Sequence, residues 1–243
     1  MAISPGLGGF APNDIYVTQG PDIWKIAPNG SSVTAFVNIP ALPGSHTGIT
    51  FDHVGTFGFD MIITGFNGDV WRVNSAGTPT LVANVGTGIE GPEVAPLAFG
   101  PLGGQVFVAS EVTSFVYAVS SGGVVTPVVG WPTAESVHLI PANPCSFGFS
   151  GGSFFTAMYA LDNITMFPPS DFAGLGGNLL VTSESGGGIG LMEFDGTNYV
   201  MSTFQTDIGQ HEGSAFVDCA VPLDPASEFD VLGHPRTFIP RDL

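Results

Sequence analysis

Four stretches decide the fold: Asp14-Ile15-Tyr16-Val17-Thr18-Gln19, Asp60-Met61-Ile62-Ile63-Thr64-Gly65, Gln105-Val106-Phe107-Val108-Ala109-Ser110 and Asn178-Leu179-Leu180-Val181-Thr182-Ser183. Each is a polar residue, then an apolar or β-branched run of strand length, then a small polar end. A second strand follows each one, at 22–26, 69–73, 115–119 and 189–194. These run into turns at Asn29-Gly30, Ala76-Gly77, Gly122-Gly123 and Asp195-Gly196, residue types suited to the backbone of tight hairpins. A further strand closes each unit, at 32–37, 79–85, 124–129 and 199–204. The first three units start at residues 14, 60 and 105, a spacing of about 45 residues that matches a four-stranded propeller blade.

A fourth kind of segment belongs to these units: His46-Thr47-Gly48-Ile49-Thr50-Phe51, Glu90-Gly91-Pro92-Glu93-Val94, Glu135-Ser136-Val137-His138-Leu139 and His211-Glu212-Gly213-Ser214-Ala215-Phe216. The first unit has none ahead of it, and the last such segment has no unit after it. Pairing of the C-terminal strand with the N-terminal three would close a ring and leave no open sheet edge. The expected architecture is therefore an all-β single domain over 1–243, a small propeller of four or five blades closed by its terminal strands. Residues 142–175 are expected to be an insertion or part of an extra blade, and 220–243, with its four prolines, an outer coil.

Composition agrees. The chain holds 35 Gly and 20 Pro, which leave little room for long helices, yet 44% of it is hydrophobic and 20 residues are Phe, which argues against disorder. The net charge of −17, with only Lys25, Arg72, Arg236 and Arg241 as basic side chains, excludes phosphate backbones and anionic membrane surfaces as partners. No apolar run is long enough to span a bilayer as a helix. Two sequons, at Asn29 and Asn163, and a cysteine pair, Cys145 and Cys219, favour an extracellular protein whose signal peptide is missing from this sequence. The cysteines suit one disulfide or two buried thiols. A monomer is expected.

Inner strands of a propeller line its axis, so the four segments above converge on one rim. They carry three of the five histidines and several glutamates in a chain poor in both. His46, His138, His211 and Glu93 are the candidate ligands of a divalent metal (zinc, manganese or calcium). Glu90, Glu135 and Glu212 are the candidate acid–base groups. His53 and His234 fall outside the pattern, and Glu111 and Glu184, which end second strands, are candidates only for an outer layer of the rim. Trp24, Trp71 and Tyr117 recur at matching positions and are expected to pack between blades.

The Glu90-Gly91-Pro92 and Glu212-Gly213-Ser214 strand starts, with the Trp-Lys and Trp-Arg strands, resemble the broad gluconolactonase, NHL and glucose/sorbosone-dehydrogenase class of propellers across most of residues 14–217. In that class a Glu of this kind can ligate a metal, so the resemblance implies a central metal site. The histidine content is similar, in residue type, to propeller polysaccharide lyases and streptogramin B lyase. The expectation is a secreted enzyme performing metal-assisted hydrolysis or β-elimination of a lactone, ester or uronate-type carbohydrate. The alternatives are a carbohydrate-binding, lectin-like propeller and a non-catalytic interaction scaffold.

Overall fold

A computed structural model describes residues 1–146, 151–206 and 209–217. Among these residues the strands form five antiparallel sheets. Blade 1 is β1 (Ala2–Ile3), β2 (Ile15–Gln19), β3 (Asp22–Ile26) and β4 (Val33–Asn38), and blade 2 is β5 (Thr47–Phe51), β6 (Met61–Gly65), β7 (Asp69–Val73) and β8 (Pro79–Asn84). Blade 3 is β9 (Glu90–Val94), β10 (Val106–Ser110), β11 (Phe115–Val119) and β12 (Val125–Gly130). Blade 4 opens with β13 (Ala134–Leu139); the chain then leaves to make β14 (Phe154–Met158) and β15 (Asn163–Phe167) before returning as β16 (Leu179–Ser183), β17 (Ile189–Phe194) and β18 (Tyr199–Gln205). Blade 5 is the three-stranded sheet β15-β14-β19, with β19 (His211–Phe216) on its inner side.

The stretch 142–175 thus supplies the second and third strands of a fifth blade. Ring closure differs from the expectation. The C-terminal strand β19 pairs with β14, and the N-terminal strand β2 pairs with β1 and β3. Ala2 and Ile3 occupy the edge of β2 that the C-terminal strand was expected to take, so β1 and β19 complete different blades. The expected coil at 220–243 lies outside the described residues. Cys145 is disulfide-bonded, and its sulfur lies 3.4 Å from the Val217 carbonyl oxygen; the only other cysteine in the sequence, Cys219, is outside the described residues.

The second strands of blades 2, 3 and 4 are buried on both faces because each of these blades packs against two others. All five residues of β6, β10 and β16 are buried. Alternation sends Ile63 to a cluster with blade 1 and Ile62 to a cluster with blade 3. Two further clusters join blades 3 and 4, around Phe107 and Val181, and blades 4 and 5, around Phe154 and Leu180. Trp71 and Tyr117 pack into these seams as expected. Trp24, the equivalent residue of blade 1, instead lines a surface groove with Val17, Ile26 and Val33.

Loops are tied by side chains. Asp52, fully buried after β5, accepts backbone N–H groups from Val54, Gly55, Phe57 and Phe59 at 2.7 to 3.0 Å. It replaces the strand ladder that the 52–60 loop lacks. Asp52→Ala is expected to destabilise the protein by about 3 kcal/mol, because four N–H groups, that of buried Phe57 among them, lose their acceptor at once. Chemical denaturation checks this; a loss below about 1 kcal/mol contradicts the role given to Asp52.

Candidate functional site

The inner strands pass so close to the axis that their heads carry small residues. A Cβ on Gly48 would run into Pro92, and one on Gly91, whose φ is +44°, would run into Ser136. Three inner strands also carry one residue more than their partners. On β9, Glu90 faces Ala109 and Glu93 faces Phe107. On β13, Ala134 faces Ser183 and Val137 faces Val181, which leaves Glu135 and Ser136 opposite Thr182 alone. On β19, His211 faces Met158 while Gly213 faces Ala157, which leaves Glu212 unmatched. In blade 2, β5 pairs with β6 in unbroken register. Bulges of this kind break the alternation of faces and re-aim side chains.

The result is a central cavity of about 890 Å³ whose lining includes His46, Glu90, Glu135, Ser136, His138 and Glu212. At the rim where the inner strands begin, His46 Nδ1 lies 2.9 Å from Glu90 Oε1. The Glu90 and Glu135 carboxyl groups are hydrogen-bonded to each other. Burial, that hydrogen bond and repulsion from Glu90, Glu212 and Glu111 push the Glu135 carboxyl up to about 10, so it keeps its proton at neutral pH. Glu111 and Glu184 form a second hydrogen-bonded pair, which together with burial and repulsion from Glu184 and Glu90 raises Glu111 to about 7. Burial raises Glu212, helped by Glu184 and Glu90 and opposed by His46. Glu111 and Glu184 follow β10 and β16 directly, which places them beside the strand heads; they are part of the rim and not merely solvated.

Deeper in the cavity, Ser136 Oγ lies 2.8 Å from His138 Nε2 and 2.6 Å from Thr182 Oγ1. His138 stacks its edge against Phe154, and burial lowers its pKa to about 4, so it is neutral at physiological pH. Toward the other end, Glu93 accepts the backbone N–H groups of Val94 and Leu139, and His53 Nδ1 lies 3.9 Å from it. Burial raises the Glu93 carboxyl against the opposing pull of His53 and those N–H groups. His53 therefore lines the channel, which sequence spacing did not indicate; His234 lies outside the described residues.

The three acid–base candidates, Glu90, Glu135 and Glu212, do converge. The four metal candidates do not. His46 is at the rim against Glu90, His138 is bonded to Ser136, and Glu93 belongs with His53. His211 is fully buried and is not among the residues that line the cavity, with Nδ1 2.8 Å from Thr156 Oγ1. Among the described residues no three His, Cys, Asp or Glu side chains are grouped to hold a metal ion. The zinc, manganese or calcium site expected from His46, His138, His211 and Glu93 does not fit this arrangement. On β19 it is Glu212, and not His211, that lines the cavity.

The described residues form a β-propeller with a polar site on its axis. The expected all-β propeller is what the strands form. Similar solved structures include the nidogen/laminin complex, at 16% identity and a TM-score of 0.48, over 77% of this chain and 60% of that one. Virginiamycin B lyase from Staphylococcus aureus matches at 13% identity and a TM-score of 0.44, over 78% and 66%. A protein of unknown function from Bacteroides caccae matches at 12% identity and a TM-score of 0.40, over 86% and 83%. The chain thus covers less than two thirds of the first two. No protein-family profile and no curated protein matches it.

Crowded carboxyl groups set the pH response of stability. Glu135 is raised from 4.5 to about 10, so the folded state binds the proton more tightly than the unfolded chain. That contribution is complete below the unfolded value and is lost as pH rises toward the folded one. Stability is therefore expected to fall between about pH 5 and 10, and Glu135→Gln to flatten that fall, with a gain on the order of 1–3 kcal/mol at pH 9. Thermal unfolding at pH 5, 7 and 9 checks it; parallel curves for the two proteins contradict the assignment.

Proposed function

We propose that this protein is an enzyme of the central cavity that cleaves a neutral or cationic lactone or ester by proton transfer among its own side chains. The observation that carries the reading is the contiguous chain Glu135–Glu90–His46, a protonated carboxyl group, a bridging carboxyl group and an imidazole, opening on a cavity of about 890 Å³. Two titratable groups with opposite assignments in one pocket are the pattern expected of an acid and a base.

In this reading Glu135 donates a hydrogen bond to the substrate carbonyl and its proton to the departing oxygen. With Nδ1 turned to Glu90, His46 uses Nε2 to take a proton from the attacking water, and Glu90 stabilises the imidazolium that results. Glu212, Glu111 and Glu184 add negative potential at the mouth. That field disfavours a uronate, so within the expected substrate range the lactone or ester is preferred over the anionic sugar. A lectin-like role has less support, since Trp71 and Tyr117, two of the three recurring aromatics, are packed between blades. We place the protein outside the reducing cytoplasm on the strength of the Cys145 disulfide.

Hydrolysis of a panel of δ-lactones and aryl esters by the metal-stripped protein tests the reading. Turnover is expected to persist without metal and to drop about 10²–10⁴-fold in Glu135→Gln and in His46→Asn. Absence of turnover across neutral and cationic members of the panel, or full activity in Glu135→Gln, would sink it.

A further inference from the structure

We infer that Ser136 is a nucleophile and His138 its general base, so that the cavity forms a covalent acyl-enzyme through Ser136 Oγ. This rests on the proposed ester or lactone cleavage and replaces direct attack by water with a Ser136 acyl-enzyme, whose formation is read on Ser136 and His138 separately from Glu135 and His46.

Four observations meet at this point. Ser136 Oγ and His138 Nε2 are 2.8 Å apart, the separation a nucleophile–base pair needs. Both residues line the central cavity, so a ligand there meets the hydroxyl. The neutral imidazole can accept through Nε2 when its proton is on Nδ1. Ser136 then donates to His138 and accepts from Thr182, whose hydroxyl is 2.6 Å away in a fully buried position. Finally, the slip between Ala134 and Val137 places two residues of β13 opposite one of β16, and a Cβ on Gly91 would run into Ser136. The backbone is thus arranged around a hydroxyl that a regular strand would not hold there.

In the acylation step the Ser136 Oγ–H bond breaks and its proton passes to His138 Nε2. A bond forms from Oγ to the substrate carbonyl carbon, and the carbonyl electron pair moves to oxygen. Collapse of that intermediate breaks the bond from carbon to the leaving oxygen, which takes the proton from His138. Water repeats the sequence at the acyl carbon, giving its proton to His138 and returning the hydroxyl to Ser136. No redox partner is involved, and each proton removed is returned.

Two small irreversible reagents, phenylmethylsulfonyl fluoride and diisopropyl fluorophosphate, test this on the intact protein without any assumption about the natural substrate. Serine Oγ displaces fluoride from sulfur or phosphorus, and the serine proton leaves through His138. Mass spectrometry of peptides is expected to place the adduct on Ser136 at near stoichiometry. Ser136→Ala should take up none, and His138→Gln should label about 10²–10⁴-fold more slowly with an unchanged circular dichroism spectrum. Thr182→Val, which keeps the shape of the residue, should label at a reduced rate. No adduct at Ser136 from either reagent overturns the inference, as does equal labelling of a folded His138→Gln protein. Labelling at Ser136 without turnover of lactones and esters retains the nucleophile and rejects the proposed reaction. Turnover with no labelling at Ser136 does the reverse.

Discussion

The extra residue at the head of β9, β13 and β19 is the constraint on which the site depends. A regular strand turns alternate side chains to opposite faces, so along an inner strand only every second residue reaches the axis. One inserted residue breaks that rule locally. Glu135 and Ser136 are adjacent in the chain and both line the cavity because together they stand opposite Thr182. On β19 Glu212 lines the cavity, while His211 is buried against Thr156. Blade 2 lacks the slip, and its only titratable group in contact with the rim carboxylates is His46, which sits at a positive φ of 55° just ahead of β5.

Such a site works against stability. Carboxyl groups near one another in a partly desolvated mouth cannot all ionise, and they respond by holding protons, Glu135 up to about 10 and Glu111 up to about 7. The chemistry proposed for the cavity follows from that response, because a carboxyl group that stays protonated near neutral pH is a proton donor. The apolar seams between successive blades offset the cost. They are built from strands buried on both faces, and they hold the inner strands close enough that Gly48 meets Pro92 and Gly91 meets Ser136.

Much of the fold was legible because each blade repeats the same local chemistry. Apolar runs such as Met61–Gly65 and Val106–Ser110 announce buried strands, and the turn residues after β3, β7, β11 and β17 punctuate them. The fifth blade was harder to read, since its strands come from two distant parts of the chain, 154–167 and 211–216. The two-residue β1 is too short to leave a pattern, so the sequence points instead to pairing of the terminal strands. Trp24 and Trp71 look equivalent in sequence but differ in surroundings: Trp71 sits in the seam with blade 1, whereas Trp24 lines a surface groove.

By itself the sequence determined that this is an all-β repeat protein whose ionisable residues gather at the heads of its inner strands. Strand length, turn chemistry and repeat spacing are local properties, and they are written residue by residue. It also placed Glu90, Glu135 and Glu212 together, because residues at the heads of inner strands must converge on the axis. Tertiary structure alone decided which of two neighbouring side chains faces the cavity, since that depends on register against a partner strand far away in sequence. It therefore separated His46, His138, His211 and Glu93, drew in Glu111 and Glu184, and set Ser136 against His138 and Thr182. A slip of one residue is enough to exchange the two faces of a strand, and nothing in the local composition of His211-Glu212-Gly213 records which way it falls.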